Sequence, residues 1–154
     1  MNQSVKGVLQ RLQKKHDFAI VALTGMINNR GNSTFKWKYV LGSDSQRWKR
    51  MELRKGTGLP GVVLKTGKSL VVQDVSKIYN PEELFRFPIL YFENIQGFVA
   101  IPIWNNDEVV MGLVVLGDRA PRHISEAEYE ALKADVEKDL RIELLKELML
   151  YENT

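Results

Sequence analysis

At 154 residues, with 44% hydrophobic and 27% charged side chains, the chain has the composition of one ordinary globular domain able to bury a single core. The count of zero cysteines excludes disulfides, thiolate metal sites, sulfur redox catalysis and covalent chromophore attachment together. The net charge of +3 is mild, no apolar run reaches membrane-spanning length, and Met1 to Lys15 lacks the apolar centre of a signal peptide, so a soluble cytoplasmic protein with no membrane partner is expected.

Val5, Val8, Leu9 and Leu12 recur at helical spacing and predict an amphipathic helix over about 4–15. Phe18 to Ile27 is apolar and β-branched and reads as a central strand. Asn28 to Asn32 is a turn cluster, and Phe35 to Leu41 returns as a second strand. In that strand Phe35, Trp37 and Tyr39 alternate with Lys36 and Lys38, the pattern of a half-buried strand showing charge to water. Seven basic residues lie between Lys36 and Lys55, interleaved with Trp37, Tyr39 and Trp48. No recognition helix or base-stacking motif accompanies them, so nucleic-acid binding is not expected. After Ser43, Asp44 and Ser45, residues Arg47 to Lys55 read as a short helical turn or an edge strand.

The next stretch organises the chain. Gly56 and Gly58 permit a bend, and Pro60 suits a first helical position because its missing N–H would be unpaired there. Gly67 closes the helix as a left-handed cap after about two turns. Leu70 to Val72 is a short strand, bounded by Asp74. Asn80 followed by Pro81, Glu82 and Glu83 predicts a helix starting at Pro81, which Pro88 should interrupt. Phe98 to Ile103 and Val109 to Gly117 form a hairpin around Asn105, Asn106 and Asp107. Their near-continuous apolar character calls for cover on both sheet faces, and Pro102 argues for a bulge or an edge position. Ser125 with Glu128 is a capping box opening a long helix over about 125–150, with Tyr129, Leu132, Val136, Leu140 and Leu144 as its stripe. Leu145, Leu148, Met149 and Leu150 exceed that stripe and read either as a partner-facing surface or as an apolar helix end.

Little of this is catalytic. His16 and His123 are the only histidines and fall in different elements. No His-x-Glu, no HExxH and no carboxylate cluster at ligand spacing occurs, so no metal and no cofactor are expected. Gly56 to Gly61 matches GxGxxG without the long helix or downstream acid of a dinucleotide site. Asp74 and Glu93 stand as single carboxylates with no partner evident, and no nucleophile–base set can be nominated. The expectation is a binding protein, not an enzyme.

The run Gly58-Leu59-Pro60-Gly61, Val63, Lys65-Thr66-Gly67-Lys68, followed by an apolar pair and Asp74-Val75, resembles the central signature of GAF sensory domains. The second half of that family pattern is present as Phe98 to Trp104 and Val109 to Gly117, and the match extends from about Phe18 to Asp118. The resemblance implies an α/β fold comprising a single GAF domain over 1–154. It would hold a mainly antiparallel sheet of five or six strands, the N- and C-terminal helices on one face and a ligand pocket on the other. The cysteines of the family's methionine-sulfoxide reductases and its cyclic-nucleotide pattern are both missing. Within the family the chain is similar to nitrate receptors that work beside an oxygen-sensing histidine kinase. That likeness implies nitrate as ligand, a sensor histidine kinase as partner, and restraint of kinase phosphorylation that nitrate relieves. A nitrate-sized anion is weakly hydrated and suits a small apolar pocket with backbone and indole N–H donors. The candidate ligand-binding residues are Trp48, Leu64, Leu70, Pro88, Tyr91, Ile95, Phe98 and Ala100, with residues 76–97 as the moving part. The alternatives are a GAF module for another small organic ligand and a ligand-free scaffold.

Overall fold

The computed structural model describes residues 4–29, 32–51, 53 and 58–152. Arg30 and Gly31 of the expected turn, Glu52, Arg54 and Lys55 of the expected helical turn or edge strand, Gly56 of the expected bend, and the side chains of Met149 and Leu150 lie outside the described residues.

The chain opens with α1 (Val5–His16), whose Ser4 Oγ accepts from the Gly7 amide and so satisfies a free first-turn donor. Strands β1 (Ile20–Asn29) and β2 (Asn32–Leu41) follow, then a 3-10 turn over Arg47–Arg50, α2 (Gly58–Thr66) and β3 (Leu70–Val72). The short helices α3 (Val75–Ile78) and α4 (Pro88–Phe92) lead into β4 (Gly97–Trp104) and β5 (Val110–Asp118). The five strands form one sheet in the order β2-β1-β5-β4-β3, every neighbouring pair antiparallel. Because β3 begins opposite Ala100 and runs toward Phe98, Pro102 lies where β4 has β5 alone beside it, the local edge that its missing N–H requires.

The C-terminal helix is built as α5 (Glu126–Asp135), a π-helical turn (Val136–Leu140) and α6 (Arg141–Glu152). The interruption has a cause in the sequence. Leu132, Val136, Leu140 and Leu144 recur every fourth residue and are all buried at 0–1% exposure. At about 100° per residue each such step overshoots a full α-helical turn by about 40°, so a strict α-helix would rotate the stripe off the sheet. The wider π turn takes up more residues per turn and returns Leu140 and Leu144 to the core. At Ser125 only half of the capping box forms. Its Oγ accepts from the Glu128 amide at 3.1 Å, while the Glu128 carboxylate accepts from Arg122 at 2.8 Å. Burial opposes the Arg122 charge, but bonds to Asp118 and Glu128 outweigh it and raise its pKa. The same guanidinium lies 3.8 Å above the Phe18 ring, fastening α5 to the start of β1.

Strand alternation divides the core in two. Val5, Val8, Leu9 and Leu12 of α1 and the C-terminal stripe cover the face carrying Val21, Leu23, Val99, Ile101 and Val114. The other face carries Ile20, Ala22, Phe98, Ala100, Leu113 and Val115 under α2, α3 and α4. Each fully buried leucine or isoleucine contributes about 1.5–3 kcal/mol, so neither face is dispensable. The expected alternation in β2 is broken, however. Leu23 faces Tyr39 and Thr24 faces Trp37, leaving Lys38 as the extra residue of a bulge. Trp37 and Tyr39 therefore fall on opposite faces, Tyr39 among the helices with its hydroxyl donating to Glu147 at 2.5 Å.

Candidate functional site

The second sheet face is where the candidate residues gather. The α2 helix starts at Gly58, so Pro60 is its third residue and not its first, still within the turn whose amides have no helical partner. Val63 faces inward at 1% exposure, and Gly67 ends the helix at φ 69°. A Cβ at Gly67 would come 2.7 Å from the Trp104 ring, so the position needs glycine for both its backbone angle and its space. The turn Lys68–Ser69 then drops the chain into β3, pairing Leu70 with Ala100 and Val72 with Phe98.

From Asp74 onward the chain crosses this face. Asp74 is not an idle carboxylate: its Oδ1 accepts from the Ser76 amide and caps α3, a helix not anticipated from the sequence. The helix expected from Pro81 is instead a 3-10 turn over Glu83–Arg86. Pro88 does not interrupt a helix but opens the next one, α4, at its first position. Inside the crossing, Tyr79 and Phe87 rings meet at 4.8 Å. Burial, and then the nearby Glu83 charge, push the Tyr79 phenol above its ordinary pKa, so it stays a neutral donor at physiological pH.

Glu93 was expected to be unpartnered and is the reverse. Among the described residues it is the one buried charged side chain, at 5% exposure. Its carboxylate accepts from Ser43 Oγ and pairs with Arg119 at 3.3 Å. Arg119 also donates to the Glu93 carbonyl at 3.2 Å and the Gly42 carbonyl at 2.9 Å. Three segments far apart in sequence (the exits of β2, α4 and β5) are thus tied at one corner.

Of the sequence candidates, Ile95, Phe98 and Ala100 are buried at 0–1% on this face, and Trp48, Leu64 and Leu70 pack against the same cluster half-buried. Pro88 is half-buried at the start of α4. Tyr91 is not brought in. Ile89 and Leu90 are the inward pair of α4, and one further residue rotates Tyr91 about 100° outward. It is 44% exposed, with Phe85 at 4.7 Å and Phe92 at 5.2 Å. Trp37, not singled out from the sequence, joins the inner cluster at 5% exposure, and its indole N–H meets no hydrogen-bond partner among the described residues. The signal was available only through the Lys38 bulge. Trp48 sits in the 3-10 turn with Lys49 Nζ 5.5 Å over its ring.

Chemically this face is apolar, with the Trp37 indole N–H as a buried donor within it. No group of three or more His, Cys, Asp or Glu among the described residues is placed to hold a metal ion. No helix among them is long and apolar enough to cross a membrane.

A family model for the GAF domain matches residues 3–135, and the chain belongs to that family. Among solved structures it is similar to the NreA protein of Staphylococcus aureus mutated in its nitrate binding site. That match has 35% identity and a TM-score of 0.70, covering 77% of this chain and 85% of that one. A hypothetical protein from S. aureus is 36% identical with a TM-score of 0.69, over 74% of this chain and 91% of its own. The GAF domain of a two-component sensor histidine kinase from Bacillus halodurans, 16% identical over 98% of this chain and 99% of its own, has a TM-score of 0.69 and shares the fold. Comparison with curated protein sequences gives no match.

Proposed function

We propose that this GAF protein is a nitrate receptor without catalytic activity, acting in the cytoplasm on a sensor histidine kinase of a nitrate-respiration system. The observation that carries the reading is the 35% identity, over 77% of the chain, to a protein described by its nitrate binding site. The site chemistry agrees with it. A face lined by Leu64, Leu70, Ile95, Phe98 and Ala100, with indole N–H groups and helix amides as donors, suits a weakly hydrated monoanion.

Ligand acts on a partner only by binding two shapes unequally, and residues 76–97 are the segment assigned to move. The Ser43–Glu93–Arg119 corner would hold that segment in one of the two arrangements. Empty protein restrains kinase phosphorylation, and nitrate relieves the restraint.

Calorimetric titration with nitrate, against chloride and nitrite, tests the reading. Saturable, nitrate-selective heat supports it, with Trp48→Ala weakening affinity. Absence of heat on protein free of bound anion sinks it, leaving a GAF module for another small ligand or a ligand-free scaffold.

A further inference from the structure

We propose that the exposed aromatic strip Phe85, Tyr91 and Phe92 is the surface on which the partner kinase docks, taking an apolar protein segment that sets a carboxylate against Arg47. This rests on the receptor reading and names the face that the kinase meets. The three side chains are 67%, 44% and 46% exposed. They are not scattered. The Phe85 and Tyr91 rings lie 4.7 Å apart and the Tyr91 and Phe92 rings 5.2 Å apart, which makes one continuous apolar strip. Single exposed apolar residues are ordinary, whereas contiguous apolar surface left in water marks an interaction site. Neither phenylalanine has a polar atom that gains from facing water, and aromatic side chains are enriched at protein interfaces.

The border of the strip says what covers it. The Arg47 guanidinium lies 5.2 Å over the Phe92 ring and makes no ion pair among the described residues. A stacked guanidinium with its donors unused is suited to a carboxylate brought by a partner. Arg86, beside Phe85, is exposed and equally unpaired. Asp44, Glu82 and Glu83 belong to the same two segments, so the border carries both signs. An anionic lipid surface favours a uniformly basic border, and these carboxylates oppose it; a protein segment with apolar anchors and a carboxylate suits both parts.

The strip is also coupled to the candidate site. The helix α4 has five residues, of which Ile89 and Leu90 are buried in the same cluster as Phe98 and Ala100, while Tyr91 and Phe92 face outward. In so short a helix the inner pair cannot shift without carrying the outer rings along. A ligand that moves α4 therefore changes the surface the kinase reads.

The test uses the full-length protein with the purified, full-length oxygen-sensing histidine kinase of the same organism. Hydroxyl-radical footprinting of wild-type protein should show less oxidation of Phe85, Tyr91 and Phe92 once the kinase is added. A variant carrying Phe85→Ser and Phe92→Ser should lose about tenfold or more in kinase affinity, the scale of an interface anchor. Its nitrate titration and Tm should match the parent. Arg47→Glu should weaken kinase binding more than Arg47→Met, since it sets like charges together. Kinase binding with unchanged oxidation of the three rings overturns the inference and leaves the receptor reading intact, with the kinase on another face. Unchanged affinity in the double variant does the same. Protection by phosphatidylglycerol vesicles and not by the kinase overturns it in favour of a membrane surface. Arg47→Glu no weaker than Arg47→Met removes the carboxylate from the proposal. The footprint is read on wild-type protein, so a poorly folding variant does not rescue the idea. Failure of wild-type protein to bind nitrate, read in its own titration, removes the receptor reading and this assignment of partner together.

Discussion

Replacing Arg119 with methionine removes the cation of the corner that ties α4 to the exits of β2 and β5. Three bonds disappear, to the Glu93 carboxylate, the Glu93 carbonyl and the Gly42 carbonyl. At about 1 kcal/mol net for each, the loss approaches 3 kcal/mol. Two corrections act in opposite directions. The Glu93 carboxylate, 5% exposed, is left without its counter-charge, which raises the cost; Arg119 is itself 34% exposed, so water replaces part of what it gave, which lowers it. The expected net loss is about 2–3 kcal/mol. For a chain of this length each kcal/mol moves Tm by about 2–4 °C, so Arg119→Met should melt about 4–12 °C lower. If the stranded charge is the main penalty, adding Glu93→Gln should recover part of the loss. Differential scanning calorimetry of the two single variants and the double variant measures this. Hydrogen exchange at the Ile95 and Gln96 amides, bonded to the Leu90 and Asp118 carbonyls, should accelerate in Arg119→Met ahead of global unfolding. An unchanged Tm, or a double variant no better than the single one, would refute the reasoning that this corner holds the crossing segment down.

Acidification offers a second prediction. Burial alone would raise the Asp135 pKa, but bonds from His16 at 2.8 Å and Lys15 at 2.9 Å outweigh it and hold the carboxyl below the usual carboxylate range. A pKa lowered by folding gives stability that is full above the unfolded value of about 3.9 and is lost as pH falls through the folded value. The gap in urea midpoint between wild type and Asp135→Asn should therefore be constant near neutrality and close under acid; a gap that widens in acid contradicts the sign. A third prediction concerns Gly67→Ala, which forces a side chain into φ 69° and its Cβ to 2.7 Å from the Trp104 ring. The backbone part alone costs about 1–2 kcal/mol. Trp104→Ala in the same chain should relieve the steric part and leave the backbone part, read as a partial recovery of the urea midpoint.

Much of the architecture was legible because local rules and tertiary demands agree. The stripe Val5, Val8, Leu9 and Leu12, the cap at Ser125, the glycine at 67 and the doubly apolar hairpin each carry their own cause in neighbouring residues. Misread elements have causes far along the chain. Glu93 and Arg119 lie 26 positions apart, and nothing local to Glu93 announces an arginine delivered by the end of β5. The four-residue spacing of the C-terminal stripe did contain the π turn, but only as an angular excess that matters once a flat sheet must be covered.

The tryptophans show why a binding site is harder to read than a fold. Trp48 drew attention by standing among basic residues, a property of sequence neighbours. Trp37 looked like an ordinary member of an alternating strand, where its side was predicted to match that of Phe35 and Tyr39. One inserted residue, Lys38, shifts the register between Leu23 and Thr24 and separates Trp37 from Tyr39. Gly25 accommodates this, since a Cβ there would run into the Lys38 side chain. Period-2 reasoning has no term for a bulge, because the extra residue is selected by the partner strand and by side-chain crossing over that glycine. A candidate site drawn from a bulged strand, a 3-10 turn and a crossing segment thus depends on register at three places. An error of one residue at any of them exchanges a core-facing donor for a surface one.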